Sequence, residues 1–292
     1  MPHPRKRFAQ HWLKDARIHQ AIVDAAALPR DPAEASQTVV LEIGPGTGQL
    51  TRRLLNQGVR VVAVEIDRDL CAVLRRQLAE NPRFELVEGD FLRMPLPESP
   101  RFVVANIPYN ITAAILERLL GSPSQPQTHF QRIVLLVQKE VAERLSAAPG
   151  AKAYGAMSVR IQYLAEVQWV CLVPRRAFYP PPQVESAVIV IQPRPYPTPA
   201  RDPHWFQVLV QQGFSTRRKT LANCLQALVP KEQVSAALTQ LQRDPLSRAE
   251  TLSVEEWVQL SHLLQRGAVE SIELDVGELD VGESGAAASE LL

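Results

Sequence analysis

What most constrains this chain is a series of seven short apolar runs, separated mostly by stretches with helical periodicity, between about residues 15 and 190. They are VVLEI (39–43), VRVVAVEI (59–66), FELVEG (84–89), RFVVANI (101–107), RIVLLVQ (132–138), VQWVCLV (167–173) and ESAVIVIQ (185–192). Strand-like and helix-like segments in alternation imply a parallel sheet with helical crossovers. Most of the runs are apolar throughout, which implies helices on both faces of that sheet. The expected class is α/β, with a Rossmann-like seven-stranded sheet. A Pro-rich stretch too short for a crossover helix separates the last two runs, so they are expected to pair antiparallel at the sheet edge.

A second Pro-rich segment, PRPYPTPARDP (193–203), can continue neither a strand nor a helix and reads as a linker. Residues 204–266 regain helical periodicity, with Pro230 and Pro245 as breaks. The chain is therefore divided into a catalytic unit (1–195), a small helical domain (204–267) and a tail (268–292). The tail holds seven acidic residues and no Lys or Arg, the composition of a disordered segment. It masks the character of the rest: net charge is +1 overall, but the body carries 32 basic against 24 acidic side chains. That sign suits a polyanionic partner.

No apolar run reaches the roughly 18 residues needed to span a bilayer, and the basic N-terminus lacks the apolar stretch of a secretory signal. A cytoplasmic protein with no membrane partner, acting as a monomer, is expected. Cys71, Cys171 and Cys224 are far apart, form no C-x-x-C pair and read as buried thiols. The six histidines are scattered, and no metal site is indicated.

Three segments carry chemistry. Glu42-Ile43-Gly44-Pro45-Gly46-Thr47-Gly48 follows the first strand and leads into a helix-like stretch, at the strand end where open α/β sheets bind ligands. Its spacing is G-x-G-x-G; Gln49 stands where the dinucleotide fingerprint needs glycine. Glu65 ends the second strand about 20 residues on, where a carboxylate can accept from both hydroxyls of a ribose. Asp90, in GDF after the third strand, can accept from an adenine amino group. The competing reading is that Glu65 and Asp90 only cap the helices that follow, with Asp67 as a further cap. A carboxylate-rich pocket lacking a phosphate-binding lysine suits the positive sulfonium of S-adenosylmethionine better than NAD or ATP.

The third segment, Asn106-Ile107-Pro108-Tyr109, follows the fourth strand. An aromatic exocyclic amine is a poor nucleophile because its lone pair is delocalised into the ring. The Asn106 side-chain oxygen and the Pro108 carbonyl, accepting from its two N–H bonds, would favour a pyramidal nitrogen with its lone pair aimed at a methyl donor. Tyr109 offers a face for stacking a base. Phe178, in RRAFYPPPQVES, would supply the other side of a base sandwich, or else plug the core.

These stretches resemble the ribosomal RNA adenine N6-dimethyltransferase family. The likeness runs from RFAQHWL (7–13) through EIGPGTGQLT, VAVEID, GDFL, NIPYNI, VQKEVAERL, YGAMSV and FYPPPQVESAV to FSTRRKTLANCL (214–225), and covers roughly residues 5–265. The last motif resembles the small-subunit enzymes more than the erythromycin-resistance methylases. The resemblance implies a class I methyltransferase sheet with a small C-terminal helical domain. It implies that His11, Leu13, Gly44, Glu65, Asp90 and Asn106 contact S-adenosylmethionine, and that Asn106, Pro108, Tyr109 and Phe178 surround the target adenine. The first family motif often reads FGQNFL; here Ala9 replaces the glycine and His11 an amide, and the imidazole can still donate or accept a hydrogen bond.

The implied substrate is a pair of adjacent adenosines in a hairpin near the 3′ end of small-subunit (16S) ribosomal RNA, each dimethylated, within the immature subunit. Arg5-Lys6-Arg7, Arg175-Arg176 and Arg217-Arg218-Lys219 are candidates for holding phosphates. The motifs taken alone leave open an adenine methylase of DNA or large-subunit RNA, and a non-catalytic assembly factor that keeps the fold.

Overall fold

All seven apolar runs form strands in the computed structural model, which describes residues 10–97 and 99–264. The chain begins with β1 (Trp12–Leu13), α1 (Ala16–Ala25), α2 (Pro32–Gln37) and β2 (Val39–Ile43). It continues through α3 (Gln49–Leu55), β3 (Arg60–Glu65), α4 (Arg68–Leu78), β4 (Phe84–Glu88), β5 (Phe102–Asn106) and α5 (Thr112–Leu120). A small hairpin, β6 (Gly121–Ser122) and β7 (Gln125–Pro126), precedes β8 (Arg132–Gln138), α6 (Lys139–Leu145) and α7 (Ala156–Leu164). Then come β9 (Ala165–Val173), β10 (Phe178–Tyr179), β11 (Ser186–Pro193) and the helices α8 (Pro203–Gly213), α9 (Leu221–Leu225), α10 (Lys231–Gln240) and α11 (Val254–Leu263). His3, Arg5-Lys6-Arg7, Ala9 and the tail 268–292 lie outside the described residues.

The sheet order is β4-β3-β2-β5-β8-β11-β9. The first five of these strands are parallel, and β11 runs antiparallel to both β8 and β9. The chain builds outward from β2 to β4 and then returns to the other side of β2 as β5, a reversal of the kind at which such sheets bind ligands. The register sharpens this point. β2 stays paired with β3 as far as Ile43 opposite Val64, and β5 with β8 as far as Asn106 opposite Leu136. Between themselves β2 and β5 pair only at Val40–Phe102 and Leu41–Val103. Their carboxyl ends therefore part, and a crevice opens between Ile43 and Asn106.

Side chains alternate across the sheet into two apolar clusters. Leu41 and Ile43 face α5, α6 and α7, whereas Val40 faces α1 and α3. The edge departs from the expectation of cover on both faces. Trp169, Val170 and Leu172 of β9 are exposed, and Cys171 is half-buried while Cys71 and Cys224 are buried. An outermost strand has only one neighbour, and an apolar run does not reveal how far out it lies.

Helix starts follow side-chain chemistry. Asp15, Asp31, Asp67 and Asp202 cap α1, α2, α4 and α8 by accepting from backbone amides, and Ser253 with Glu256 forms a capping box on α11. Pro193 ends β11 and Pro203 opens α8, while the segment between them packs rather than hangs free: the Tyr196 ring stacks on Tyr163 at 5.0 Å. Tyr163 also meets Phe206 of α8 at 4.7 Å, so the C-terminal helices continue the apolar cluster under α7. Among the described residues, no helix is long and apolar enough to cross a membrane.

Candidate active site

The glycine turn after β2 lies under β1. Gly46 has φ +58°, and a Cβ there would come within 3.4 Å of the Trp12 indole. Gly48, at φ +77°, caps α3 with so little room that a Cβ would stand 2.8 Å from Leu74. Both positions combine left-handed backbone with close packing, which glycine alone tolerates without strain. The turn delivers the Gly46 amide to Glu65 Oε2 at 3.2 Å, and the Asp67 amide holds Oε1 at 2.9 Å. Each carboxylate oxygen keeps lone-pair capacity for another donor. Burial raises the Glu65 pKa, opposed by these two amides.

One cavity fills the crevice. It is lined by His11, Leu13, Gly44, Glu65, Asp90, Asn106, Pro108 and Tyr109, so eight of the nine residues singled out from sequence meet there. Asp90 does also act as a local cap, accepting from the Leu92 amide at 3.0 Å, and Arg93 lies 3.4 Å from its other oxygen. Asn106 Nδ2 donates to the His11 carbonyl at 3.2 Å, which fixes the amide and leaves Oδ1 as its acceptor. The Pro108 carbonyl accepts only long bonds, from the Ile111 amide at 3.4 Å and the Thr112 hydroxyl at 3.5 Å. Tyr109 is anchored by a 2.6 Å hydrogen bond between its hydroxyl and Ser186. Its ring lies nearly parallel to His11, 5.9 Å between centroids, and His11 Nδ1 sits 2.8 Å from the Pro180 carbonyl.

Phe178 is the exception. It is 0% exposed, stands opposite Leu13 in the β1–β10 pair and does not line the cavity. In this structure it is the core plug. Tyr179, beside it, is 57% exposed. Alternation along β10 turns one ring inward and the next outward, and two adjacent aromatics in sequence do not disclose which.

Two buried titratable residues of the cavity were given no role by the sequence reading. Glu42, 2% exposed, and His19, also buried, both line it from the α1 and α3 side. Glu42 had a visible signal: a carboxylate inside the otherwise apolar strand VVLEI, two residues before Gly44. His19 had none beyond its place on α1. Glu42 Oε2 is buried with no hydrogen-bond partner. Burial pushes its pKa up to about 8, so the anionic side chains of the cavity are Glu65 and Asp90, and no Lys or Arg lines it. Such a lining attracts a cation and repels phosphate, which fits a sulfonium-bearing amino acid nucleoside. Among the described residues no group of His, Cys, Asp or Glu is placed to hold a metal ion.

Comparison with known proteins agrees with this geometry. The profile of the family described as ribosomal RNA adenine dimethylase matches residues 1–266. A ribosomal RNA small subunit methyltransferase A of Synechococcus sp. (strain JA-3-3Ab) is 64% identical over 264 residues, 90% of this chain and 94% of that protein. The protein of the same name from Nostoc punctiforme (strain ATCC 29133 / PCC 73102) is 48% identical over 287 residues, covering 95% and 99%. Among solved structures, the 23S rRNA methyltransferase ErmE superposes with a TM-score of 0.69 at 28% identity, over 87% of this chain and 99% of its own. A dimethyladenosine transferase from Plasmodium falciparum gives 0.67 at 26% identity, over 86% and 96%. With the cavity, the sheet and a match across nearly the whole described length in accord, the chain belongs to the ribosomal RNA adenine dimethylase family.

Proposed function

We propose that this enzyme transfers methyl groups from S-adenosylmethionine to N6 of two adjacent adenosines in a hairpin near the 3′ end of 16S ribosomal RNA, in the immature small subunit, leaving each dimethylated. The observation that carries the chemistry is the Asn106 amide, whose nitrogen is already committed to the His11 carbonyl at 3.2 Å. Its oxygen is thereby held as an acceptor beside the Pro108 carbonyl, two acceptors for the two N–H bonds of an adenine amine.

When bound, S-adenosylmethionine supplies a methyl group on a good leaving group, the sulfonium. Glu65 would hold the ribose hydroxyls and Asp90 the adenine amine of that cofactor, with His11, Leu13 and Gly44 completing its seat. Asn106 and Pro108 orient the nucleophilic amine, Tyr109 stacks on the target base, and the methylated nitrogen sheds its proton to solvent. Buried Phe178 has no part in this scheme.

The choice of small-subunit RNA over large-subunit RNA rests on identity, since the fold is shared by both: 64% to the small-subunit enzyme against 28% to the 23S enzyme. Arg175, Arg176, Arg217, Arg218 and Lys219 are exposed and supply the positive surface that RNA phosphates need.

Asn106→Ala tests the scheme. It should lower methyl transfer to small subunits from cells lacking the enzyme by about 100-fold or more while the protein still binds cofactor. Unchanged turnover would refute the assigned role of the amide.

A further inference from the structure

We propose that two copies of this chain pair through the free edge of β9, antiparallel about a two-fold axis, so that one continuous sheet runs through both. The inference is independent of the cofactor and substrate readings, and it replaces the monomer expected from sequence.

The edge itself is the first observation. β9 is hydrogen-bonded to β11 on one side and, among the described residues, to no strand on the other. Such an edge presents a row of unpaired N–H and C=O groups, which proteins usually blunt with Lys, Pro or inward-pointing charge. β9 reads AEVQWVCLV, with no Lys, no Pro and a single charge at Glu166, and its Trp169, Val170 and Leu172 are exposed.

A bulge in β9 decides which residues can meet. In a regular strand, residues three apart lie on opposite faces. Here Trp169 stands opposite Ile189 and Leu172 opposite Ala187, both of one apolar cluster, with Val170 as the inserted residue; Trp169 and Leu172 therefore share a face. Gln168, opposite Val190, shares the other face with Val173, which belongs to the same cluster as Val190. Residues that oppose one another across an antiparallel pair must lie on the same face. Trp169 of one copy opposite Leu172 of the other meets that condition. The same register sets Gln168 opposite Val173 and brings Glu166 to Arg175, just past the end of the strand.

Charge completes the match and names the occupant. Glu166 and Arg175 are exposed, and neither has an ion-pair partner among the described residues. Gln168 Nε2 donates to Glu166 Oε1 at 3.1 Å and Arg175 Nε to the Pro182 carbonyl at 2.6 Å, which leaves Oε2 and the terminal guanidinium nitrogens available. A two-fold interface must be self-complementary, and opposite charges at the two ends of one strand supply that. The tail 268–292 holds no Lys or Arg to meet Glu166. RNA would claim Arg175 through a phosphate but leave the strand edge and its apolar side chains uncovered.

Sedimentation equilibrium of the full chain reads the pairing. One strand edge buries little area, so a dissociation constant between about 1 and 100 μM is expected. Glu166→Arg and Arg175→Glu each place like charges together at both symmetric sites and should each weaken the dimer by about tenfold or more. Combined in one chain, the two substitutions should restore it to within about threefold of wild type. Trp169→Lys should leave single chains at every concentration reached. Far-ultraviolet circular dichroism and melting midpoints close to wild type are expected for all of these exposed substitutions. A wild-type chain that stays monomeric well above that range, a dimer indifferent to both charge reversals, or a double variant no better than either single one would overturn the proposal. So would a chain ending at residue 267 that dimerises while the full chain does not, since the edge would then belong to the tail.

Discussion

The chemistry at the centre of this protein depends on which atoms of a few polar side chains are already occupied. Asn106 spends its nitrogen on the His11 carbonyl and Glu65 spends one lone pair of each oxygen on a backbone amide, so each meets the cavity as an acceptor. The Glu65 arrangement predicts that Glu65→Ala weakens S-adenosylmethionine about 10- to 100-fold in calorimetry, the loss of charge-assisted bonds to two hydroxyls. A wild-type affinity would remove the ribose contact. At this scale the sequence was partly legible. Carboxylates and an amide at strand ends could be named from spacing, but the partner that orients Asn106 comes from a backbone 95 residues away. The anchor of Tyr109, Ser186, is 77 residues distant, and no local pattern records such pairs.

At the level of elements, the glycine turn shows why spacing matters more than glycine content. It must pass beneath Trp12, start α3 and present an amide to Glu65 within a few residues. Gly48→Ala should destabilise the fold by about 2–4 kcal/mol, combining left-handed backbone strain with overpacking against Leu74. Denaturant midpoints measure this, and a shift equivalent to less than about 0.5 kcal/mol would mean that the turn relaxes freely. The antiparallel pairing of the last two strands was readable because a Pro-rich connection leaves no room for a crossover helix. Their place at the sheet edge was expected too, but not that β9 would be the outermost of the pair with Trp169, Val170 and Leu172 exposed, because that depends on which strand stops recruiting neighbours.

Across the whole molecule, one sheet carries two apolar clusters, and the C-terminal helices extend the cluster under α7 through Tyr163 and Phe206. That packing holds the exposed Arg218 and Lys219, in the turn between α8 and α9, on the same body as the cavity. Replacing both with alanine should weaken binding to ribosomal RNA with little dependence on sequence. It should also lower the slope of log affinity against log salt by about 1.5, the effect of two phosphate contacts. An unchanged slope would place the RNA elsewhere.

By itself the sequence determined the α/β class, the seven strands, the family and eight residues of the cavity, because strand periodicity and the chemistry of strand-end motifs are local properties. Tertiary structure alone decided that β2 and β5 part to open the crevice, that Phe178 turns inward, and that Glu42 lies buried within the cavity with one oxygen unpartnered. Each of these depends on what a distant segment places beside it, and a carboxylate's proton affinity follows from its surroundings rather than from its neighbours in the chain.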